Sequence, residues 1–426
     1  MRYTRIVVAL TLAAAVIILP EMIRAQDEPE KPPVGPIVDK IMQDEGIGAA
    51  VEKLRGLRAD SADVYAFSRG QMSLAARWLI GVDRRDEGLA LMEQITEMFP
   101  ESVTGWFELG WQYLLSTDSA RARECMTRTL ELTSDSYYFN WVIENFNEFL
   151  RIARIQTAIQ SKYAPGENTG IQGPYLGEEP PGRTPKVFAP GLVCGTPNEF
   201  SITFSPDGRE IYFSRSMQGV LVCRWEEDGW TAAEPVDFFG YPFDVDEASV
   251  APDGQSVLFN ARPTFLGERE IYRAERVGEG WGKPEKLFPG MYATATLDGA
   301  IYATVTTGRP DYGVIGKYVP TDSGYGEAEI VGGGVNSERL DAHPWIAPDE
   351  SFILFDSNRD DYCSLFVCYR NQDGTWGDAI CLNEHLNIPP FAGQCALSPD
   401  GKYLFYSMQD NMYWVSAEFL EELRPK

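Results

Sequence analysis

The chain has 426 residues, more than one ordinary hydrophobic core accommodates, so two or more domains or a large repeat fold are expected. A hydrophobic content of 44% with 12% aromatic residues excludes a wholly disordered chain. Acidic residues exceed basic ones by 63 − 37 = 26, which argues against nucleic acid or an anionic membrane as the main partner.

The first residues have the pattern of a secretory signal peptide. Two arginines in MRYTR precede the predominantly apolar run IVVALTLAAAVIIL, and the small residue Ala25 follows shortly after. The run is shorter than the ~20 residues that an apolar helix needs to span a bilayer. We therefore expect cleavage after Ala25, a mature chain without an integral membrane segment, and a periplasmic or secreted location.

Residues 36–160 are predicted to be helical, because apolar residues recur three and four positions apart, as in LALMEQITEMF. Within this region WFELGWQYLL resembles the opening of a tetratricopeptide repeat, a helix-turn-helix motif with a W-x-x-L-G-x-x-Y signature. The matching residues are Trp106, Leu109, Gly110 and Tyr113. We predict a tetratricopeptide-like domain with units at 69–102 and 103–136, and a generic helical bundle is the alternative.

Small residues recur where the two helices of such a unit must touch. Ala122 occupies this position in the second unit, and Gly88 occupies the equivalent position one repeat earlier, in the first. Two units alone bury little core, so further helices before Arg69 and after Tyr137 are expected to cap them.

Residues 161–183 contain too many Gly and Pro residues for a helix or strand, and we predict a linker laid along a surface. From residue 184 onward the apolar pattern alternates, as in β-strands. The predicted order is therefore a signal peptide at 1–25, a helical domain at 36–160, a linker at 161–183 and an all-β domain at 184–426.

Five hairpin turns recur in the all-β domain, and four of them contain Pro-Asp, as in FSPDGREIYFSR and VAPDGQSVLFNAR. Pro presets the first central position of a turn, Asp bonds to its own backbone, and Gly accepts a positive φ. Each motif therefore joins two short strands. The marker aspartates, which recur at nearly equal intervals, are Asp207, Asp253, Asp298, Asp349 and Asp400.

Each hairpin is followed by a third strand, a second turn with an aromatic residue and, in four of the units, a short fourth strand. Three of these aromatic residues, Trp230, Trp281 and Trp376, are predicted to pack between repeats. Four antiparallel strands about every 48 residues are typical of a β-propeller blade. The predicted fold is thus a helical-repeat domain followed by a five-bladed β-propeller, with six blades as the alternative.

The repeated S-P-D-G hairpin followed by S-x-R resembles the TolB-like, WD-repeat-like propellers of exported bacterial envelope proteins. The resemblance covers Thr184–Lys426, although the third unit lacks the Pro and the fourth has Glu350 in place of the turn Gly. This family consists mostly of binding and scaffold modules, so the resemblance implies a non-catalytic function. The turn arginines, expected to satisfy carbonyl groups in the blade turns, are Arg215, Arg262, Arg309 and Arg359.

The stretch TPKVFAPG (Thr184–Gly191) resembles KPEKLFPG (Lys283–Gly290), which closes a repeat, yet it stands before the first repeat. The fifth unit, conversely, has no fourth strand of its own. We predict that Lys186–Phe188 pairs beside Tyr413–Ser416 and closes the ring, so that neither edge strand stays unpaired.

Counting back six to eight positions from the marker aspartates locates the entrance of the propeller channel. The candidate ligand-binding residues there are Glu199, Asp246, Glu247, Asp341 and His343. Carboxylate oxygens suit a polar ligand or a hard cation such as Ca²⁺, and no other cofactor is expected. The alternative is that these groups bond only to neighbouring blades and to channel water.

No catalytic motif accompanies the propeller: the sequence has no G-x-S-x-G elbow, Walker loop or dinucleotide fingerprint, and its two histidines are His343 and His385. We therefore predict a non-catalytic envelope protein that binds a protein or peptide partner through the propeller face and a helical groove. The alternative is a carbohydrate-binding or glycan-hydrolysing enzyme that uses the acidic residues of the channel mouth.

Overall fold

The computed structural model forms two compact units, a helical unit within Met1–Ala158 and a β-propeller within Ile159–Ala261 and Arg269–Lys426. It describes residues 31–45, 47–62, 64–81, 84–116, 118–132, 163–194, 199–215, 218–239, 245–261, 269–309, 312–322, 324–359, 363–388, 392–408 and 411–425. The signal peptide predicted at 1–25 and the cap helix predicted after Tyr137 lie outside these ranges. Within them, no helix is both long and apolar enough to cross a bilayer.

The described part of the helical unit contains three successive helix pairs. The first helices of the pairs begin at residues 35, 69 and 103, so the pairs follow one another at equal intervals. The six helices are α1 (Gly35–Glu45), α2 (Ile47–Asp60), α3 (Arg69–Gly81), α4 (Arg85–Met98), α5 (Val103–Leu115) and α6 (Ser119–Leu132).

Small residues allow the helices within a pair to approach closely. A Cβ atom on Gly88 would lie 2.6 Å from the carbonyl oxygen of Ala76, so α4 could not pack on α3 with a larger residue there. In the next pair, a Cβ on Gly110 would lie 3.0 Å from Cβ of Cys125, and Ala122 is fully buried. The small positions identified in the sequence are therefore points of helix contact.

The second unit is a five-bladed β-propeller, as predicted, and the alternative of six blades is wrong. Its five sheets each contain three long antiparallel strands and a short outer strand. The first strands are β2 (Glu199–Phe204), β7 (Val245–Val250), β12 (Met291–Ala295), β18 (Asp341–Ile346) and β22 (Ala392–Leu397). The second strands are β3 (Glu210–Arg215), β8 (Ser256–Ala261), β13 (Ile301–Arg309), β19 (Phe352–Ser357) and β23 (Tyr403–Met408).

The third strands are β4 (Gly219–Glu226), β9 (Glu270–Val277), β14 (Tyr312–Tyr318), β20 (Ser364–Tyr369) and β24 (Asn411–Ser416). The outer strands are β6 (Glu234–Pro235), β11 (Glu285–Pro289), β17 (Glu329–Ile330), β21 (Ile380–Cys381) and, for the fifth blade, β1 (Lys186–Val187). The described residues of the unit also form short hairpin strands, two short α-helices and a 3-10 helix at Tyr175–Gly177. The strands and α-helices are β5 (Gly229–Trp230), β10 (Gly280–Trp281), β15 (Pro320–Thr321), β16 (Gly324–Tyr325), α7 (Leu382–Leu386) and α8 (Glu418–Leu423).

The marker aspartates shape the turns between first and second strands as expected. In each turn the carboxylate accepts a hydrogen bond from the backbone N–H two positions further on, for example Gln255 to Asp253 at 2.9 Å and Ser351 to Asp349 at 3.0 Å. The corresponding donors in the other three turns are Arg209, Ala300 and Lys402.

The hydrophobic core of the propeller consists of five clusters, one at each seam between successive blades. The seam between blades 5 and 1 illustrates the pattern, with Phe204 and Phe213 of blade 1 against Phe405 and Trp414 of blade 5. The other clusters join blades 1 and 2, 2 and 3, 3 and 4, and 4 and 5. Burying one such aromatic side chain stabilises the fold by roughly 1.5–3 kcal/mol.

The ring closes through its N-terminal strand, which confirms the prediction made from TPKVFAPG. Lys186 pairs with Trp414 and Val187 with Tyr413, antiparallel, so β1 is the outer strand of the fifth blade. Phe188 continues the contact by donating its backbone N–H to the carbonyl of Met412 at 2.8 Å. Its ring is fully buried, with centroids 5.0 Å from Phe405 and 5.2 Å from Trp414.

Residues 163–183 lie against blades 1 and 5. The indole nitrogen of Trp230 donates to the carbonyl of Gly173 at 2.7 Å, and the backbone N–H of Thr169 donates to the carbonyl of Trp230 at 2.9 Å. Further along, the ring of Tyr175 packs on Tyr403 at 5.2 Å, and its hydroxyl donates to Asp400 at 2.9 Å. This segment therefore covers the seam that β1 closes.

Candidate binding site at the channel mouth

Every first strand contains a β-bulge at the same register position. The pairing with the second strand shifts there in all five blades. The bulged residue is never glycine, yet its φ lies between 46° and 56°, a left-handed conformation that costs a non-glycine residue about 1 kcal/mol or more. We call these residues the bulge ring: Ser201, Glu247, Tyr292, His343 and Gln394.

Side chains of the bulge ring meet across the centre of the propeller. The Gln394 amide of blade 5 donates to Oε1 of Glu247 in blade 2 at 2.8 Å. His343 of blade 4 places Nε2 3.6 Å from the same oxygen. Blade 2 is adjacent to neither blade 4 nor blade 5, so these contacts are made only at the channel axis.

Tyr292 packs against one side of this cluster. Its ring lies edge-on to the His343 ring, with centroids 5.2 Å apart, and its hydroxyl donates across the channel to the carbonyl of Cys395 at 3.1 Å. Burial raises the pKa of the Tyr292 phenol well above its ordinary value, and a hydrogen bond with the Ser201 hydroxyl opposes this rise. The cluster is therefore closed by a neutral phenol on one side.

His343 carries a positive charge at neutral pH. Its Nδ1 lies 2.8 Å and 3.0 Å from the two carboxylate oxygens of Asp356. Burial lowers the pKa of His343, but the charge and hydrogen bond of Asp356, together with the charge of Glu247, raise it from its ordinary 6.5 to about 9. The channel thus holds an imidazolium between two carboxylates.

A belt of polar side chains on the second strands fixes the bulge ring. The Ser214 hydroxyl of blade 1 accepts the backbone N–H of Glu247 in blade 2 at 2.8 Å. The pattern is repeated around the propeller, each time from one blade to the next. The other three pairs are Asn260 with Tyr292 at 3.2 Å, Thr304 with His343 at 2.9 Å, and Asp356 with Gln394 at 3.0 Å.

Three of the candidate residues are engaged by arginines. Glu199 and Asp341 have fully buried side chains, and each forms an ion pair within its own blade, to Arg215 at 3.0 Å and to Arg359 at 2.7 Å. Asp246 forms an ion pair with Arg269. A carboxylate held in this way cannot act on a ligand in the channel without losing its partner.

The same arginines bind the carbonyl groups that precede the first strands, as predicted. Arg215 donates to the carbonyl of Val193 at 3.0 Å. Arg359 donates to the carbonyls of Gly334 and Val335, both at 2.7 Å. The side chains of Arg262 and Arg309, for which the same role is predicted, lie outside the described residues.

Of the five candidate residues, the structure brings Glu247 and His343 together, whereas Glu199, Asp246 and Asp341 are each bound by an arginine. Sequence reasoning missed Asp356, which holds His343. A signal for it exists, because in every second strand three consecutive apolar or aromatic residues are followed directly by one polar residue. These residues are Ser214, Asn260, Thr304, Asp356 and Ser407.

Within the described part of the chain, no three His, Cys, Asp or Glu side chains come together in a way that could hold a metal ion. The Ca²⁺ site stays a prediction. Its test is whether a chelator lowers the melting temperature of the purified protein, since a ligand of the native state stabilises that state by mass action.

No protein-family model matches the sequence, and no curated protein is significantly similar to it. Several solved structures are similar to this chain, but with low TM-scores. A protein from Agrobacterium tumefaciens assigned as TolB has 17% identity and a TM-score of 0.36 over 49% of this chain and 69% of that one. A gluconolactonase from Xanthomonas campestris has 13% identity and a TM-score of 0.36 over 55% of this chain and 96% of that one. A xylan β-1,4-xylosidase from Bacillus halodurans has 12% identity and a TM-score of 0.33 over 51% of this chain and 52% of that one. Likeness this weak carries no information about what this chain binds or catalyses.

Proposed function

We propose that this chain is an exported, non-catalytic binding protein, and that the bulge ring at its channel mouth is the ligand site. The observation that carries the proposal is the repeated left-handed conformation of five non-glycine residues whose side chains converge on the axis. Backbone strain of this kind persists only where the surrounding structure enforces it, and it concentrates at binding and catalytic sites.

The carboxylates near the channel mouth are already bound by other side chains, which supports ligand binding rather than glycan hydrolysis. A glycosidase needs one carboxyl group as acid and a second as base or nucleophile, both facing the sugar bond. Here Glu199 and Asp341 are buried under arginines, and Asp356 is bound to His343. Asp246 is paired with Arg269, so among the described residues Glu247 has no second carboxylate beside it that could complete such a pair.

The helical unit provides a second surface in this proposal. Helix pairs that recur at equal intervals and are joined by small-residue contacts are expected to stack in the manner of tetratricopeptide repeats. Such stacks offer a groove for an extended peptide or a helix. We propose that the partner is a protein, with one segment bound by the helical groove and another by the bulge ring.

Export is also part of this proposal, and it rests on the signal peptide predicted at residues 1–25. A partner would then be another protein of the cell envelope. Mass spectrometry of the mature protein, isolated from the cell envelope or culture medium, is expected to give an N-terminus at Gln26, and an intact Met1 would contradict export with cleavage.

A peptide-display selection against the full chain tests the ligand site. We expect selected peptides to lose about ten-fold or more in affinity for Glu247→Gln, which corresponds to at least ~1.4 kcal/mol. Glu279→Gln is the matched control, since Glu279 is an exposed residue of the same blade in the turn after β9, at the end of the blade opposite the bulge. Failure to select any peptide, or equal binding by both variants, would contradict the proposal.

A further inference from the structure

The bulge ring has more acceptor capacity than its own donors use. The Gln394 amide, the His343 imidazolium and the Tyr292 hydroxyl each have an acceptor. Glu247 receives Gln394 on Oε1, whereas Oε2 accepts no hydrogen bond from the described part of the chain. A group that binds here must therefore bring donors.

Ser201 is the bulge residue of blade 1 and is only 2% exposed. Its hydroxyl acts on the Tyr292 phenol through a hydrogen bond. Ser201 therefore belongs to the interior of the ring, and the vacant acceptor that a ligand can engage is on the carboxylate of Glu247.

Among the described residues of the mouth, one carboxylate has no cation of its own. Three carboxylates, those of Glu199, Asp246 and Asp341, each have an arginine. The single imidazolium of His343 lies against Asp356 at 2.8 Å and only at 3.6 Å from Glu247. Glu247 therefore shares a cation that its neighbour already holds, and Glu247, Asp356 and His343 together carry two negative charges against one positive charge.

Access to this charge is narrow. The side chains of Glu247 and His343 are 9% and 20% exposed. A lysine ammonium is compact and lies at the end of a flexible four-carbon stem, which suits a recessed carboxylate. A guanidinium is planar and wider, and it prefers a bidentate approach to both carboxylate oxygens, one of which Gln394 already occupies.

We infer that the bulge ring binds the ammonium group of a lysine side chain presented by the partner, with Oε2 of Glu247 as its main acceptor. This inference rests on the proposed function and specifies which part of the partner the ring recognises. The ammonium supplies three donors and one positive charge, which match the vacant acceptor and the excess negative charge.

The experiment uses the full chain and short blocked peptides that differ at one residue. The probes are acetyl-Gly-Gly-Lys-Gly-Gly-amide, the same peptide with Nε-acetyllysine or arginine, and glucosamine. Binding is measured by saturation-transfer NMR and, where affinity allows, by calorimetry. We expect the lysine peptide to bind about ten-fold or more tightly than the acetyllysine and arginine peptides, and its advantage to vanish in Glu247→Gln but not in Glu279→Gln.

A second variant guards against loss of folding in the first. Gln394→Lys places an ammonium beside Glu247 within the protein, so we expect it to exclude the lysine peptide while its melting temperature stays at or above that of the wild type. Equal binding of the lysine and acetyllysine peptides would overturn the inference, as would tighter, Glu247-dependent binding of glucosamine. If display selection yields ring-binding peptides without lysine, the inference fails and the proposed function stands. If no selected peptide depends on the ring, both fail.

Discussion

At the residue scale, the spacing of the marker aspartates predicts which residues form the bulge ring. It does not predict which side chains at the channel mouth are already bound by a partner. Counting back six positions from each marker aspartate arrives at the five left-handed residues, because the bulge lies in the first strand at a fixed distance from the turn that follows it. Whether a carboxylate is available depends on its partner in another strand. The burial of Glu199 by Arg215 of the neighbouring strand and the contact between His343 and Asp356 follow from strand register, which the sequence of one strand does not specify.

The charge on His343 predicts a pH dependence of stability. Because the pKa of His343 is raised in the folded state, protonated His343 stabilises the fold. This contribution to the free energy of unfolding is complete below about pH 6.5 and is lost as the pH rises through about 9. The groups that act on it are Asp356, Glu247 and Asp246, and a shift of this size corresponds to a few kcal/mol, on the order of 3. Urea unfolding of the wild type is expected to show this decline.

The same decline should be much smaller in His343→Gln. His385→Gln is the matched control, because His385 is the second histidine of the chain and lies exposed on α7. The pKa can also be read directly from the His343 ring resonances by NMR. A value near 6.5, or identical pH profiles for the two variants, would show that His343 is not held as an imidazolium.

At the element scale, the two departures from the repeat pattern have physical explanations. Leu297 stands where the other turns have Pro, and its backbone N–H donates to the carbonyl of Pro348 at 2.9 Å, a bond that proline could not form.

Glu350 stands in place of the turn Gly with φ of 58° and binds Lys317 at 2.5 Å and Arg370. Burial raises the pKa of Glu350, but these cations and the Tyr302 hydroxyl lower it to about 2. Interactions of this kind join blades 3 and 4, and they are invisible in a repeat alignment.

Glycines in the helical unit give a paired test of its packing. Gly88→Ala is expected to destabilise the helices, since the new Cβ would lie 2.6 Å from the carbonyl of Ala76. Gly56→Ala in α2 meets no atom within 4 Å and should stabilise the unit by up to about 1 kcal/mol through helix propensity. The stabilities of the two variants are compared by thermal unfolding, monitored by circular dichroism at a wavelength that reports on helix content. Equal effects of the two changes would mean that α3 and α4 are not in contact at Gly88.

At the scale of the whole molecule, the propeller is a closed ring of five seams, and the N-terminal strand belongs to its last blade. The sequence was sufficient to predict this closure, because an outer-strand pattern before the first repeat and a missing outer strand in the last one complement each other. It was not sufficient to predict how residues 163–183 cover the same seam. Their contacts come from separate positions such as Gly173 and Tyr175, without a repeating pattern.

Ring closure is tested by two substitutions in one segment. Phe188→Ala removes a fully buried ring from the seam between blades 5 and 1 and should cost about 3–5 kcal/mol of unfolding free energy. Lys186→Ala is the control, since Lys186 is exposed and pairs through its backbone, and it should change stability by less than about 0.5 kcal/mol. Urea unfolding followed by tryptophan fluorescence measures both. A Phe188→Ala protein as stable as the wild type would contradict closure through β1.

The central claim is that the bulge ring at the channel mouth is where this protein binds its partner. A crystal structure of the full chain with a display-selected peptide tests it most directly. We predict peptide atoms within hydrogen-bonding distance of Oε2 of Glu247 and contacts to His343 and Gln394. A peptide seated elsewhere on the propeller, or only on the helical unit with the ring unoccupied, would contradict the claim.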